Sequence, residues 1–130
     1  SQSQQAVVKW WAANCTRWSV PEKALMAFPL QGARTPRNGA RMKAEGCRKG
    51  TLDMFLATPL VRSSGADLPG LWIEMKTSDG IVSDEQREMI KMLRREHYRV
   101  CVCRSALSAI REIEAYIEYR PPAAETQEEL

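Results

Sequence analysis

Several sequence features that define other classes of protein are missing from this chain of 130 residues. No run of eighteen apolar residues occurs, which excludes a membrane-spanning helix, and no secretory pattern opens the chain. His97 is the only histidine and the four cysteines form no Cys-x-x-Cys pair, so the ligands of a zinc site cannot be assembled. Free, buried cysteines are therefore expected, and they suit a reducing cytoplasm.

The composition predicts one domain with a basic body. Apolar residues make up 44% of the chain, which is enough for a single core, and the formal net charge is +3. The segment after Pro122 holds three glutamates and no base. We therefore expect one domain over residues 1–122 and an acidic, disordered tail over 123–130. Without that tail the net charge doubles to +6, a sign that suits a phosphate backbone.

The order of the predicted elements indicates an α/β domain with a mixed sheet. Helices are predicted over about 4–18, 39–49, 83–96 and 105–120, and strands over about 24–30, 51–56, 71–76 and 100–103. The first strand ends at Pro29, which favours an edge position. Val100–Cys103 is apolar on both faces, which favours a central one. Ser83 to Gln86 fits a capping box, and Gly50 is expected to end the second helix.

The stretch Leu71-Trp72-Ile73-Glu74-Met75-Lys76 carries an acid and a base within a predicted strand. Because side chains alternate between the faces of a strand, Glu74 and Lys76 project from the same face, in apolar surroundings. A buried charge is costly unless it is paired or binds a metal ion. A structural ion pair and a chemical site are both compatible with Glu74 and Lys76 taken alone.

A second acid, Asp53, precedes another short apolar run, Met54-Phe55-Leu56. The segment between the two strands is rich in Pro, Gly and Ser, as a hairpin-like connection is. If the two strands pair, Asp53 lies beside Glu74, with Lys76 next to both. Two carboxylates and a lysine on one face form a hard oxygen site of the kind that Mg²⁺ or Mn²⁺ prefers.

Asp53 followed by Glu74-Met75-Lys76 resembles the Asp…Glu-x-Lys signature of the PD-(D/E)xK nucleases, and longer segments make the likeness more specific. They are Lys43 to Leu56 with its two glycines, Gly70 to Lys76, and Ser83 to Gln86. Together they resemble the VRR-NUC family, the virus-type replication-repair nuclease domain, over nearly the whole chain. The resemblance implies a restriction-endonuclease-like core, in which helices flank a mixed β-sheet.

The same resemblance implies a Mg²⁺- or Mn²⁺-dependent endonuclease that hydrolyses phosphodiester bonds in DNA. Asp53, Glu74 and the backbone carbonyl of Met75 would bind the metal ion, Lys76 would position the nucleophilic water, and Gln86 would contact the site. The resemblance further implies a homodimer similar to Holliday-junction resolvases, acting on branched or duplex DNA in repair, in the cytoplasm of a bacterial or phage-infected cell. A nuclease directed at flaps or ends, and a nuclease-like DNA-binding module without catalysis, stay open as alternatives.

One position departs from the family pattern. Family members carry a glutamate near the start of the first helix, four residues before a glutamine, and this acid helps to bind metal. If Gln5 matches that glutamine, Ser1 occupies the glutamate position. The departure puts a two-metal site in question and favours the inactive alternative.

Basic residues are concentrated between Arg34 and Lys49, where six bases accompany a single acid. A solvated basic face is one interpretation of this segment. The other is a DNA-binding surface on which phosphates contact Arg34, Arg37, Arg41 and Lys43. No finger or other reader of base edges is recognisable, so weak sequence preference is expected.

Overall fold

The computed structural model describes residues 1–28, 36–61 and 67–119. The main elements in chain order are α1 (Gln2–Asn14), β1 (Leu25–Ala27), α2 (Pro36–Ala44), β2 (Met54–Leu56), β3 (Leu71–Met75), α3 (Asp84–Arg95), β4 (Arg99–Cys103) and α4 (Ala106–Ile117). Short 3₁₀ helices follow α1 at Cys15–Trp18 and precede β1 at Glu22–Ala24. None of the helices in these ranges has both the length and the apolar character needed to cross a membrane. The predicted tail and Arg34 lie outside the described residues.

The four strands form one mixed sheet in the order β1-β2-β3-β4. β1 pairs antiparallel with β2, and β2 pairs antiparallel with β3. β3 and β4 run parallel and are connected through α3, since a parallel pair requires a crossover. The predicted α/β fold with a mixed sheet is confirmed, and β1 takes the predicted edge position.

β4 is the outermost strand at the other side of the described sheet, so its predicted central position is wrong. Val100 and Val102 pack in a cluster with α3, whereas Cys101 and Cys103 pack in a cluster with α1 and α4. Helices therefore cover both faces of the strand and remove its side chains from water without a second neighbouring strand. The apolar sequence of β4 reflects this coverage rather than its place in the sheet.

Two apolar clusters, one on each face of the sheet, fix the helices to the strands. On one face, Trp11 of α1 and Ile113 of α4 pack with Ile73 of β3. On the other face, Ile90 of α3 packs with Val102 of β4. Burial of each such side chain stabilises the fold by roughly 1.5–3 kcal/mol. The even-numbered residues of β3, Glu74 among them, lie on the α3 face.

Side-chain caps decide where α3 and α4 begin. The hydroxyl of Ser83 accepts the N–H of Gln86 at 3.1 Å, and Oε1 of Gln86 accepts the N–H of Ser83 at 3.1 Å. This reciprocal pair confirms the predicted capping box. Ser105 begins α4 in a similar way, with its hydroxyl accepting the N–H of Ser108 at 3.0 Å.

Gly46 rather than Gly50 ends α2. The N–H of Cys47 donates to the carbonyl of Met42 at 2.9 Å, and the N–H of Gly46 donates to that of Lys43 at 3.1 Å. These are the two bonds of a Schellman motif, and the φ of Gly46 is +101°. The predicted C-cap at Gly50 is therefore wrong, because α2 stops before it.

Gly50 instead allows the loop before β2 to lie against the start of α3. Its φ is +90°, and a Cβ at this position would lie 2.6 Å from the carbonyl carbon and oxygen of Glu85. It would also lie 3.0 Å from the nitrogen of Gln86. Only glycine meets both requirements, the backbone angle and the close approach. The first turn of α3 is thereby held next to the segment that leads to Asp53.

Candidate active site

The antiparallel pairing of β2 and β3 brings Asp53 beside Glu74. Met54 is opposite Ile73 in the register, so the preceding and following residues, Asp53 and Glu74, adjoin at the end of the ladder. The N–H of Asp53 donates to Oε1 of Glu74 at 3.2 Å. The N–H of Met75 donates to Oδ2 of Asp53 at 2.8 Å. Each carboxylate is thus oriented by the main chain of the other strand.

Glu74 also receives two side-chain donors. Its Oε2 accepts a 2.6 Å hydrogen bond from Nε2 of Gln86 and lies 3.4 Å from Nζ of Lys76. Glu74 is only 1% exposed and Gln86 only 2% exposed. Gln86 therefore serves both the capping box of α3 and the carboxylate on β3, through opposite ends of its amide.

Burial and charge perturb the protonation of this site. Burial of Glu74 and, to a smaller extent, the neighbouring Asp53 carboxylate raise the pKa of Glu74 from its ordinary 4.5 to about 7. The ammonium of Lys76 and the amide of Gln86 act in the opposite direction. Burial, the largest of these effects, and the repulsion from Asp53 together outweigh the contacts of Glu74 with Lys76 and Gln86. A cation beside the two carboxylates would favour their charged forms.

The carboxylate oxygens fit a hard divalent cation. Among the described residues, no hydrogen bond reaches Oδ1 of Asp53, and Oε1 of Glu74 accepts a single backbone N–H. Each carboxylate oxygen has two lone-pair positions, so both residues retain acceptor capacity. No group of three or more His, Cys, Asp or Glu suited to a metal occurs within the described ranges. Two carboxylates with free acceptor positions offer the oxygen ligands that a hard divalent cation prefers, and such an ion can complete its coordination with water.

A cleft of about 270 Å³ opens onto these side chains. It is lined by Ser1, Gln4, Phe28, Asp53, Glu74, Met75 and Lys76. The start of α1 therefore lies at the carboxylates, and Ser1 takes the place of the family's acid if Gln5 matches the family's glutamine. Its hydroxyl accepts the N–H of Gln4 at 3.1 Å and so acts as the N-cap of α1.

Phe28 and Gln4 were not identified from the sequence as neighbours of the carboxylates. Met26 is opposite Phe55 in the β1–β2 register, and the N–H of Phe28 donates to the carbonyl of Asp53 at 2.8 Å. The alternation of Met26 and Phe28 could have placed Phe28 on the face of Asp53. It could do so only once the partner and register of β1 were known.

Three of the four predicted phosphate-binding residues are described, and all three are exposed: Arg37, Arg41 and Lys43. Arg41 lies 3.6 Å from Glu45 one turn further along α2, in a solvated ion pair that leaves its side chain 76% exposed. The structure thus brings these bases to one short helix but not into contact with Asp53 or Glu74.

A second, larger cavity connects α2 with the start of α3. Its volume is about 520 Å³, and its lining includes the bases Lys43, Arg48 and Lys49. Gln86 also lines it, and the same side chain donates to Glu74. The basic cavity and the carboxylate cleft therefore lie on two sides of one glutamine.

Comparison with known proteins agrees with this fold. The family model of the VRR-NUC domain matches residues 1–107. A solved structure of a VRR_NUC domain protein is similar at a TM-score of 0.69 and 21% sequence identity, over 92% of this chain and 88% of that one. At this identity the likeness shows a shared fold. No curated protein sequence matches the chain.

Proposed function

We propose that this chain, which belongs to the VRR-NUC family, is a Mg²⁺- or Mn²⁺-dependent endonuclease that hydrolyses phosphodiester bonds in DNA. The family implies a nuclease of the PD-(D/E)xK type, a superfamily whose domains generally use divalent metals. The observation that carries the proposal is the joint placement of Asp53, Glu74 and Lys76 around one cleft. Neither strand alone would place two acids and a base so close together.

Asp53 and Glu74, with the backbone carbonyl of Met75, would hold the ion. When bound, the ion supplies a Lewis acid that polarises the phosphate and lowers the pKa of a water ligand. The backbone N–H groups that bind Asp53 and Glu74 keep both carboxylates oriented before substrate arrives. Gln86 fixes Oε2 of Glu74 and acts as a positioning residue.

Lys76 has a separate role at the reacting phosphate. Its ammonium lies 3.4 Å from Oε2 of Glu74 and lines the cleft, so it is held at the acids without being sealed from solvent. From there it donates hydrogen bonds to the attacking water and to a non-bridging phosphate oxygen. The first bond orients the water, and the second stabilises the negative charge on the phosphate as the new P–O bond forms and the bond to the leaving oxygen breaks.

The substrate we propose is branched DNA, cut by a homodimer in the manner of a Holliday-junction resolvase. Two copies of a compact domain would present two sites to one junction and permit paired nicks. Phosphates contact Arg37, Arg41 and Lys43 on α2, beside the basic cavity. The free thiols of the chain support action in a reducing compartment such as the cytoplasm of a bacterial or phage-infected cell.

A second candidate is a DNA-binding module without catalysis. The observation that favours it is Ser1, which lines the cleft and takes the place of the family's glutamate if Gln5 matches the family's glutamine. A serine hydroxyl that already caps α1 replaces a carboxylate poorly as a metal ligand.

The test is cleavage of labelled four-way junction, flap and linear duplex DNA in Mg²⁺, Mn²⁺ or EDTA. Lys76→Ala is compared with Lys91→Ala, a surface lysine on α3 paired only with Glu88. Paired metal-dependent nicks in the junction, lost in Lys76→Ala and kept in Lys91→Ala, would support the proposal. Cutting of flaps or ends would keep the chemistry and change the substrate. Salt-sensitive binding without cleavage in any metal would favour the inactive module.

A further inference from the structure

Aromatic side chains are gathered on the face of the sheet that carries the two acids. Phe28 stacks on Trp72 with ring centroids 5.6 Å apart and planes 28° apart. Phe55 lies 4.5 Å from Trp72, and Tyr98 contacts both at 5.7 and 6.4 Å. We call these four residues, Phe28, Phe55, Trp72 and Tyr98, the aromatic cluster. Only two phenylalanines and three tyrosines occur in the whole chain, so this concentration is considerable.

The aromatic cluster adjoins the carboxylates through the alternation of the strands. Phe55 and Trp72 are opposite each other, two residues along their strands from Asp53 and Glu74. That spacing places the Cα atom of each aromatic residue about 7 Å from the Cα atom of the acid on the same face. Phe28 links the aromatic cluster to the acids, because it lines the cleft together with Asp53, Glu74 and Lys76.

Phe55 and Trp72, the members of the aromatic cluster that lie behind Phe28, are held in place by close packing. A Cβ at Gly70 would lie 2.5 Å from the ring of Phe55, so the absence of a side chain there makes room for this ring. Nε1–H of Trp72 is buried and has no acceptor among the described residues, so ring contacts rather than a hydrogen bond hold the indole. Phe28 therefore rests on a rigid support and is the member of the cluster that meets the cleft.

We propose that Phe28, supported by Trp72, stacks against an unpaired nucleobase next to the scissile phosphate. This inference rests on the proposed function and specifies its substrate: branched DNA in which a base at the branch point, next to the scissile phosphate, is unpaired or is extruded on binding, in preference to continuous duplex. Every base has an aromatic face that stacks on such a side chain whatever its identity. In continuous duplex both faces of each base are covered by its neighbours, so only an extruded or unpaired base can reach Phe28.

The chemistry of the cleft favours a nucleotide over other aromatic or apolar ligands. Lys76 is placed for a phosphate oxygen, and a base is the apolar part of the substrate nearest to that phosphate. One cleft of about 270 Å³ thus combines an ammonium for the phosphate, two carboxylates for the metal ion and an aromatic residue for the base. A purely apolar partner would leave Lys76, Asp53 and Glu74 without a counterpart.

The stacking is tested by binding, which does not require cleavage. A duplex with one unpaired 2-aminopurine beside a nick, and a continuous duplex with the same base paired, are titrated with the protein in Ca²⁺. The fluorescence of 2-aminopurine falls when the base stacks on an aromatic ring. We expect quenching with the wild-type protein and Phe28→Tyr, and its loss in Phe28→Leu. Affinity for the unpaired probe should fall about tenfold in Phe28→Leu, with little change for the continuous duplex.

Tyr119→Leu is the matched control, since Tyr119 is a half-exposed aromatic in the turn that follows α4 and lies outside the aromatic cluster. Far-UV circular dichroism and the melting temperature establish that each variant is folded. Unchanged quenching and affinity in a folded Phe28→Leu protein would overturn the inference, as would equal losses on both probes. Quenching by a wild-type protein that cuts nothing in Mg²⁺ or Mn²⁺ would refute the proposed catalysis and leave the stacking supported.

Discussion

Gln86 donates a 2.6 Å hydrogen bond to Glu74 while its own carbonyl accepts the N–H of Ser83. One amide thus joins the first turn of α3 to an acid on β3. Ser83 takes part only in the cap, whereas Gln86 takes part in both the cap and the site. The two residues can therefore be used to separate the stability of the helix from the chemistry of the cleft.

Gln86→Ala is expected to lower metal affinity or cleavage rate by about 10- to 100-fold, because it removes the donor that orients Oε2 of Glu74. Ser83→Ala should cost about 1 kcal/mol of unfolding free energy through the lost N-cap, with cleavage close to wild type. Urea denaturation and cleavage kinetics measure the two effects. Equal loss of activity in both variants would show that Gln86 acts only through the helix.

Metal binding should stabilise the protein through Asp53 and Glu74. At a Mn²⁺ concentration one hundred times the Kd, the expected gain is about 2.7 kcal/mol, seen as a rise in Tm. Asp53→Ala and Glu74→Ala should each abolish the rise. Glu88→Ala, an exposed acid on α3, should keep it. A Tm that does not respond to millimolar Mn²⁺ or Mg²⁺ would argue against the site.

The raised pKa of Glu74 makes the metal-free protein less stable as pH rises. Between the ordinary value of 4.5 and about 7, the folded state holds the proton that the unfolded state has released. Stability therefore falls across this window and stays low above it. In EDTA, the free energy of unfolding of Glu74→Gln should not show this fall. It should exceed that of the wild type by roughly 3 kcal/mol at about pH 8 and differ little from it near pH 4.

Denaturation curves at several pH values measure this difference. The exposed acid Glu45 serves as control, because Glu45→Gln should follow the wild-type profile. Wild-type stability that rises from pH 5 to 8 relative to Glu74→Gln would contradict the assigned direction of the shift.

Gly50→Ala should destabilise the fold by about 2 kcal/mol or more, since it combines a strained φ with an overlap against the backbone of Glu85. Gly39→Ala is the matched change, because Gly39 lies within α2 and a Cβ there meets nothing within 4 Å. It should be neutral or stabilising by up to about 1 kcal/mol. The melting temperatures of the two variants measure the difference. Equal melting temperatures would refute the close approach at Gly50.

Removing a phosphate contact on α2 should lower the affinity for DNA and should make that affinity less sensitive to salt concentration. Arg37→Ala and Lys43→Ala should each lower the slope of log K against log salt by about 1, without changing sequence preference. Arg95→Ala serves as control, since Arg95 is exposed at the far end of α3. Fluorescence anisotropy over a salt series gives the slopes. Identical slopes for all four proteins would remove α2 from the interface.

The sequence predicted the mutual placement of Asp53, Glu74 and Lys76 better than it predicted the ends of α2 and the position of β4 in the sheet. Alternation within Leu71–Lys76 was enough to put Glu74 and Lys76 on one face, because the period of a strand acts over a few residues. The pairing of Ser83 with Gln86 was predictable for the same reason, since both partners lie within one helical turn.

Features that depend on distant parts of the chain were not predictable in this way. The edge position of β4 depends on helices that cover both its faces, and Gly50 depends on the approach of Glu85, thirty-five positions further along the sequence. Phe28 could be placed at the cleft only with the register of β1 and β2 known. In each case the deciding contact joins elements whose relative positions are set by packing rather than by local sequence.

The bond between the N–H of Met75 and Asp53 has a consequence for variation at that position. The contact of Met75 with Asp53 comes from its main-chain N–H, and the proposed metal ligand is its main-chain carbonyl, while its side chain packs into the opposite apolar cluster. The residue between the acid and the lysine is therefore constrained by the core and not by the chemistry. Exchange of Met75 for other apolar side chains of similar size should therefore leave the geometry of the cleft intact, as a library varied within that class would show.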